Sequence, residues 1–427
     1  MIAAVVGIIL LMIVLMLINV PIAIGLGVVS VAAMAVLQGA DALTNLPIVM
    51  YRGASNFPLL AVPLFIVAGA IMNATGISKR LIAFTSSVLG WMRGGLAMVT
   101  TAVSMFFAEI SGSAVADVAA LGTILIPAMK RKGYPGTFAT AVTSSAATLA
   151  VIIPPSIPMV LYAVMANTSV VKCFVGGVTP GVIGGLLMMG LSYGFAKKYN
   201  YPREERFRLR QVWETAKGAS WAFLLPVIIL GGIFSGIVTA TEGAGLAVVA
   251  AVFVGLIYRE FDMKLMRQAL MEGGIQTAVV MLLVATSAVL SMVLTELQLP
   301  QKLAQSMVHW TNSTYMVLIL LNIFFFLLGC FLHSAAAIIL TVPIVMPLVN
   351  AVGIDPVHFG IVLTINLGIG QQTPPVASVL MTACAISKED IWEVSKVNLW
   401  YVGVMIFVLF LVTYFPAVSL WPLNVFY

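Results

Sequence analysis

Apolar runs of about 20 residues recur along the whole chain, long enough to cross a bilayer as helices and without the period-two alternation of barrel strands. The pattern predicts spans at about 2–20 and 22–37 with Pro21 at a tight reversal, then a mixed interfacial segment over 38–57. A third span, about 59–73, runs into Thr75-Gly-Ile-Ser-Lys-Arg80. Two apolar arms follow, about 94–110 and 114–129, joined by the small polar tip Ser111-Gly112-Ser113, with Arg93 and Lys130 to Lys132 at their outer ends. Such a pair is either two full spans or a re-entrant hairpin, and charge does not separate these because both have the same parity. Glu109 and Asp117 flank the tip, and a charge inside the bilayer costs at least about 2.5 kcal/mol unless protein or water serves it, which favours the hairpin.

The next run, 137–166, is too long for one straight crossing and is interrupted by Pro154-Pro155. Proline lacks the N–H of the helical ladder, so the pair frees the carbonyls of Ala150 and Val151, and the run reads as two half-helices. An element over about 171–195 carries Gly177, Gly181 and Gly185 at the spacing that permits close helix packing. Beyond it lies a basic stretch with Arg203, Arg206, Arg208 and Arg210.

The second half repeats this order. Spans at about 221–238, 243–257 and 277–294, with a charged segment over 259–272, precede the stretch Leu297 to Lys302. Two arms, about 315–329 and 335–349, meet at Cys330-Phe-Leu-His-Ser334. The run 357–386 is broken by Pro374-Pro375, which frees the carbonyls of Gly370 and Gln371, and a last span covers about 397–415.

Shifting the chain by 220 positions places Pro127 on Pro347, Gly133 on Gly353, Ser113 on His333, and Pro154 and Pro155 on Pro374 and Pro375. The fold class is therefore an all-α polytopic membrane protein of two repeats, each with three spans, a re-entrant hairpin, a Pro-Pro broken span and a further span. The first repeat takes 1–196 (hairpin about 94–129, broken span 137–166), a basic cytoplasmic linker 197–218, and the second repeat 219–427 (hairpin about 315–349, broken span 357–386). Each copy crosses an odd number of times, so the second is inverted. With both termini on the periplasmic side, every Lys and Arg except Arg52, Lys172 and Lys302 falls on the cytoplasmic face.

Composition adds little beyond this. The 427 residues are 61% hydrophobic and 8% charged, with a mean hydropathy of +1.11, which excludes an ordinary soluble domain. The net charge of +6 is a topology signal and gives no reason to expect nucleic acid as a partner. Cys173, Cys330 and Cys384 are too few for a disulfide framework or metal cluster, and His309, His333 and His358 have no metal-ligand spacing. No P-loop motif occurs, so an ion gradient is the expected energy source, with neither ATP nor a transition metal.

Inverted repeats with broken helices at the midplane are characteristic of secondary transporters. Cation binding needs several oxygens converging on one point. One set is Ser111, Gly112 and Ser113 with Ser145 and Thr148, joined by Ser156; the other is His333 and Ser334 with Asn366, Gly368, Gly370 and Thr373. Asp117, Pro154, Pro155, Ser156, Pro374 and Pro375 mark the substrate region between them. Against these readings, Ser and Thr in membrane helices commonly bond their own carbonyls or a neighbouring helix. Glu242, in Thr239-Ala-Thr-Glu242, reads more simply as a carboxylate at a helix N-terminus.

The stretches Ser111-Gly-Ser-Ala-Val-Ala-Asp117, Ile153-Pro-Pro-Ser-Ile-Pro-Met159, Thr239-Ala-Thr-Glu242 and Gln372-Thr-Pro-Pro-Val-Ala-Ser-Val-Leu380 resemble the large membrane subunit of tripartite ATP-independent periplasmic (TRAP) transporters. The resemblance covers nearly the whole chain, although the second tip, Leu332-His-Ser334, departs from the first. It implies an elevator-type, sodium-coupled importer of an organic acid, such as sialic acid or a C4-dicarboxylate, in the bacterial inner membrane. It also implies a periplasmic substrate-binding protein and a small four-helix membrane subunit, expected here as a separate chain. The competing readings are a stand-alone sodium/carboxylate carrier and, more remotely, an intramembrane enzyme using Glu109, Asp117 or His333. A passive channel fits less well, because paired tips and breaks suit occlusion.

Overall fold

The computed structural model describes residues 7, 10–12, 14, 15, 18, 20–203, 207–259, 263–311 and 313–426. Most of the expected first span, 2–20, and Arg206 of the basic stretch lie outside them. The regular elements are helical, apart from an isolated bridge between Arg93 and Arg203.

The first half contains α1 (Ile22–Gln38), the short α2 (Leu46–Ala54), α3 (Ala61–Ala74) and α4 (Ile77–Leu89), then the arms α5 (Gly95–Ser111) and α6 (Ala114–Arg131). The first broken span is α7 (Gly136–Ala147) with a 3-10 turn over Thr148–Val151, followed by α8 (Ile157–Met165); α9 (Val170–Lys198) closes the half. The second half contains α10 (Leu209–Phe234), α11 (Ala240–Tyr258), α12 (Met263–Glu296) and α13 (Leu299–Trp310), then the arms α14 (Thr314–Phe331) and α15 (Ser334–Ala351). Its broken span is α16 (Pro356–Gly370) and α17 (Ser378–Ser387), followed by α18 (Ile391–Tyr414) and a short α19 (Ala417–Phe426).

Helix ends recur at the repeat distance. The arms end at Ser111 and Phe331, restart at Ala114 and Ser334, and end again at Arg131 and Ala351; the broken spans begin at Gly136 and Pro356. Each of these pairs is 220 positions apart. Polar caps explain the clean starts: Ser113, Ser156, Ser169, Asp355 and Asp390 each accept a first-turn N–H of the helix they precede.

Eight helical stretches among the described residues are long and apolar enough to cross a membrane, including both arms of the second hairpin. Length alone would therefore allow α14 and α15 as full spans. Their tip decides otherwise, because the Cys330 carbonyl accepts the N–H groups of Val376 and Ala377, in the middle of the second broken span. The first tip meets its own break in the same way, with the Gly112 carbonyl accepting the Ile157 N–H at 3.3 Å. Both hairpins thus end at the depth of the breaks.

The expected interfacial segment over 38–57 contains a 3-10 turn and α2, and four other departures have simple causes. Helix α4 buries Ile77, Ser78, Leu81 and Thr85 along one stripe and is too polar elsewhere to register as an apolar run. Helix α10 begins at Leu209, inside the basic stretch, and α12 absorbs much of the charged segment before residue 277. Lys, Arg, Gln, Glu and Met are good helix formers, so a span continues through them past the bilayer. The chain also turns after α18 to form α19, which packs on α9.

Helices pack in two groups. Helix α12 lies against α1, α2 and α3, with α11 on α3 and α10 on α4. The hairpins and broken spans pack with α9 and α18, and the hairpins also touch the first group, α5 on α3 and α4 and α15 on α12. The glycine stripe of α9 receives the first break: a Cβ on Gly177 would lie 2.5 Å from the Ile152 carbonyl oxygen and 2.6 Å from Met159 Cε. In the second hairpin, a Cβ on Gly370 would lie 2.5–2.9 Å from the backbone of Gly329 and Cys330. Overpacking of this kind costs about 1–3 kcal/mol. Gly370→Ala is therefore expected to lower the thermal unfolding midpoint of the detergent-solubilised protein by several degrees, while Gly190→Ala, which faces open space, leaves it within error.

Candidate functional site

At the first tip, Gly112 takes a left-handed conformation (φ +58°) that reverses the chain between α5 and α6. The Ser111 hydroxyl donates to Asp117 Oδ1, and the Ser113 N–H donates to Ser111 Oγ at 3.2 Å. Asp117 is 1% exposed, and its Oδ2 has no hydrogen-bond partner among the described residues. The carboxylate thus sits in the first turn of α6, where the helix dipole favours it, and braces the tip from behind. Ser113 caps α6 and Ser156 caps α8, and the Ser156 hydroxyl also donates to the Val151 carbonyl at 2.6 Å.

The second tip is built differently. His333 caps α15, its Nδ1 accepting the Ala335 N–H at 3.4 Å, which leaves the ring proton on Nε2 as a donor. Ser334 Oγ and Gln371 Oε1 are buried without a partner among the described residues. Of the carbonyls released by the second Pro pair, Gly370 accepts the Thr373 N–H at 2.9 Å and Gln371 accepts the Val379 N–H at 3.1 Å. Each carbonyl oxygen keeps a second lone pair. Both Pro-Pro bonds, Pro154–Pro155 and Pro374–Pro375, are cis.

The two expected oxygen sets are only partly assembled as they were grouped. Ser145 and Thr148 do not hydrogen-bond to the first tip; they join the second break. Ser145 Oγ lies 2.8 Å from Gln372 Oε1 and 2.6 Å from Asn398 Oδ1, while Gln372 Nε2 donates to Thr148 Oγ1 at 2.7 Å. Asn398 Nδ2 in turn donates to the Gln372 carbonyl at 3.1 Å. Asn366 points away from its tip and donates to Asn322 of α14 at 2.8 Å, and Thr373 Oγ1 donates to the Ile369 carbonyl at 3.0 Å. Gly368 faces the Thr148 carbonyl, and Gly370 lies against Gly329. Glu242 completes a capping box with Thr239, its Oε2 accepting the Thr239 N–H at 2.8 Å.

Gln371, Gln372 and Asn398 were not singled out by sequence reasoning. Their signal was present, two amides beside a Pro pair and one within an apolar span, but the Ser145 and Thr148 hydroxyls that meet Gln372 and Asn398 lie in the other repeat.

Both tips open on one cavity of about 600 Å³, lined by Gly112, Ser113, Ile157, His333, Ser334 and Gln371 on one side and by α1, α3 and α12 on the other. Helices α6, α8 and α15 begin at this wall, and their positive dipole ends favour an anion there, while the N–H groups of Ala116, Ile157, Met159 and Ala335 are already bonded to Ser113, Gly112, Ser156 and His333. The described wall carries no Lys, Arg, Asp or Glu. A smaller cavity of about 250 Å³ adjoins it through Ile66, Ser113 and Gln276 and reaches Asn73 and Glu272. The arrangement is a largely apolar, uncharged cavity between two helix groups, with the smaller cavity beside it along α3 and α12.

The profile of the family described as the tripartite ATP-independent periplasmic transporter, DctM component, matches residues 9–418. This chain belongs to that family. It is 39% identical over 381 residues to the C4-dicarboxylate TRAP transporter large permease protein DctM of Pseudomonas aeruginosa, a match covering 89% of each chain. It is 38% identical over 409 residues to the isethionate TRAP transporter permease protein DctMQ of Oleidesulfovibrio alaskensis, covering 94% of this chain and 64% of that one. A third relative, 34% identical and covered to 88% on both sides, is the 2,3-diketo-L-gulonate TRAP transporter large permease protein YiaN of Escherichia coli. Among solved structures, the YdaH transporter of Alcanivorax borkumensis superposes with a TM-score of 0.62 at 14% identity, over 90% of each chain, which is a likeness of fold. The chain is thus a multi-pass membrane permease component and not an enzyme.

The amide and hydroxyl cluster across the repeats yields a direct test. Gln372→Ala leaves the Ser145 and Thr148 hydroxyls facing a void at a cost of about 1–3 kcal/mol. In a thermal-unfolding double-mutant cycle, Ser145→Ala and Gln372→Ala are expected to couple by at least about 0.5 kcal/mol; additive effects would show that the contact contributes nothing.

Proposed function

We propose that this chain is the large membrane subunit of a sodium-coupled importer of organic acids, with a C4-dicarboxylate as the favoured substrate and sialic acid as the second. A periplasmic binding protein delivers the acid, and a small four-helix membrane subunit completes the membrane part. The observation that carries this reading is the chamber between the two tips. Three helix N-termini converge on it without any fixed positive side chain, so a bound carboxylate is held by dipole ends and needs co-bound cations to balance its charge. Sodium at the tips and breaks supplies that balance, which is how substrate and ion become coupled. Several relatives are named for C4-dicarboxylates, which favours that acid over sialic acid.

The two packing groups suggest how access alternates. The hairpins, broken spans, α9 and α18 form the moving part, and α1, α2, α3, α10, α11 and α12 the fixed part with the small subunit, in an elevator motion along α12. The termini face the periplasm in this arrangement, and the basic ends face the cytoplasm.

Uptake of labelled succinate into proteoliposomes holding the full complex and binding protein tests the reading. An inward sodium gradient is expected to be required, and Ser113→Ala or Thr373→Ala is expected to reduce sodium-dependent uptake by about tenfold through lost ion ligation, with assembly intact. Unaltered sodium dependence in both variants would reject the tips and breaks as ion sites. Uptake by this chain alone, without binding protein, would establish the stand-alone carrier instead.

His333 supplies a separate expectation. His333→Ala should raise the succinate concentration for half-maximal uptake by about tenfold, and His333→Gln, which keeps an N–H donor, should recover part of that loss.

A further inference from the structure

A second cavity, of about 710 Å³, lies further along α12, beyond the chamber between the tips. The order along α12 fixes their relation. Glu272, Gly273 and Gln276 face the small cavity, Ile275 to Leu283 the tip chamber, and Val284 to Ser291 this outer vestibule. Helices α8 and α15 run the same course, from Ile157 and Ser334 at the tip chamber to Met165 and Asn350 at the vestibule. Beside the vestibule, Leu290 and Leu294 of α12 face Ile339 and Leu340 of α15 across a narrow apolar gap.

One charged side chain lines the described wall of the vestibule, that of Arg52. Its mounting is rigid. Arg52 stands in the last turn of α2, whose Leu46, Val49 and Met50 pack with Val289 and Val293 of α12, and Gly53 abuts Ala288 so closely that no Cβ fits between them. Asn56, Asn167, Ser287, Ser291 and Asn350 add uncharged polar groups around it. Arg52 is thus the one charged residue among those lining this concave site, and a cleft of one sign raises the local concentration of the opposite ion.

Resting on the reading of this chain as an elevator importer of organic acids, we propose that Arg52 forms a fixed anion-capture site for the carboxylate of the incoming acid. The centres of the tip chamber and the vestibule are about eight residues apart on α12, so a slide of about 12 Å carries the chamber to the level of Arg52. In that position the guanidinium completes a binding wall that lacks positive side chains of its own. When the moving part descends, Arg52 stays behind on α2 beside α12, and the carboxylate leaves it for the dipole ends and co-bound cations. Capture is strong where the acid enters and absent where it is released.

Reagent chemistry at an engineered thiol tests this independently of the transported acid. In the reconstituted complex carrying Asn350→Cys, the rates of modification by an anionic and a cationic methanethiosulfonate are compared, with the parent chain as control, since Cys173, Cys330 and Cys384 are buried. Arg52→Gln is expected to lower the anionic-to-cationic rate ratio by about tenfold at low salt, with Arg52→Lys close to the parent and the difference shrinking in molar salt. Succinate uptake at saturating binding protein should then show a half-maximal concentration raised by about tenfold in Arg52→Gln, recovered by Arg52→Lys, with the maximal rate changed much less. An unaltered reagent ratio overturns the proposal, including the case in which Arg52→Gln weakens only the complex with the binding protein. A lowered ratio with an unaltered half-maximal concentration overturns the capture role. If the complex transports no succinate, the choice of substrate fails, and the reagent ratio still decides whether Arg52 attracts anions.

Discussion

A hydrocarbon interior offers no water to backbone groups, so a helix broken at mid-membrane must find its partners in protein. Everything distinctive here follows from that constraint. Each Pro pair removes two N–H donors and ends a half-helix, and each break recovers part of its bonding from a hairpin tip: the Ile157 N–H donates to Gly112, and the Val376 and Ala377 N–H groups donate to Cys330. The hairpins are long because they must reach the breaks, and they stop there because the breaks hold them. Glycines at Gly112, Gly329 and Gly370 let the backbones approach closely enough for these contacts.

Satisfying the breaks also ties the repeats together. Ser145 and Thr148 precede the first break, yet their side chains meet Gln372 and Asn398 of the second half. Lys130 makes a second tie at the basic end, pairing with Glu389 at 2.5 Å and donating to the Ser387 carbonyl at 2.8 Å. Hairpins and breaks from both halves therefore form one body beside the tip chamber, and α12 meets that body along α15 as well as across the cavities.

How much of this was legible in the sequence depended on the range of the interaction. The Pro pairs, the tip Ser111-Gly112-Ser113 and the 220-residue repeat are local or periodic, and helix ends at Ser111, Ala114, Gly136 and Pro356 agree with them. Family membership followed from the same stretches. Helix α4 stayed hidden because its burial is a narrow stripe, and the helical extension of α12 because it runs through the charged segment before the apolar run. The grouping of oxygens was least legible. Ser145 bonds a partner 227 positions away, and Asn366 turns to Asn322, choices set by how the halves interlock and not by neighbours in the chain.

The two copies are not equal. Helix α12 runs unbroken over 34 residues, whereas its counterpart is divided into α2 and α3 by the turn at Ser55 to Leu60. Perfect inverted repeats would make the two access states energetically degenerate, each a mirror of the other. The divided copy removes that degeneracy, because the same displacement meets a continuous rod on one side and a jointed one on the other. In the proposed elevator, the resting occupancies of the two states are thereby biased by covalent architecture before any ion or acid is bound.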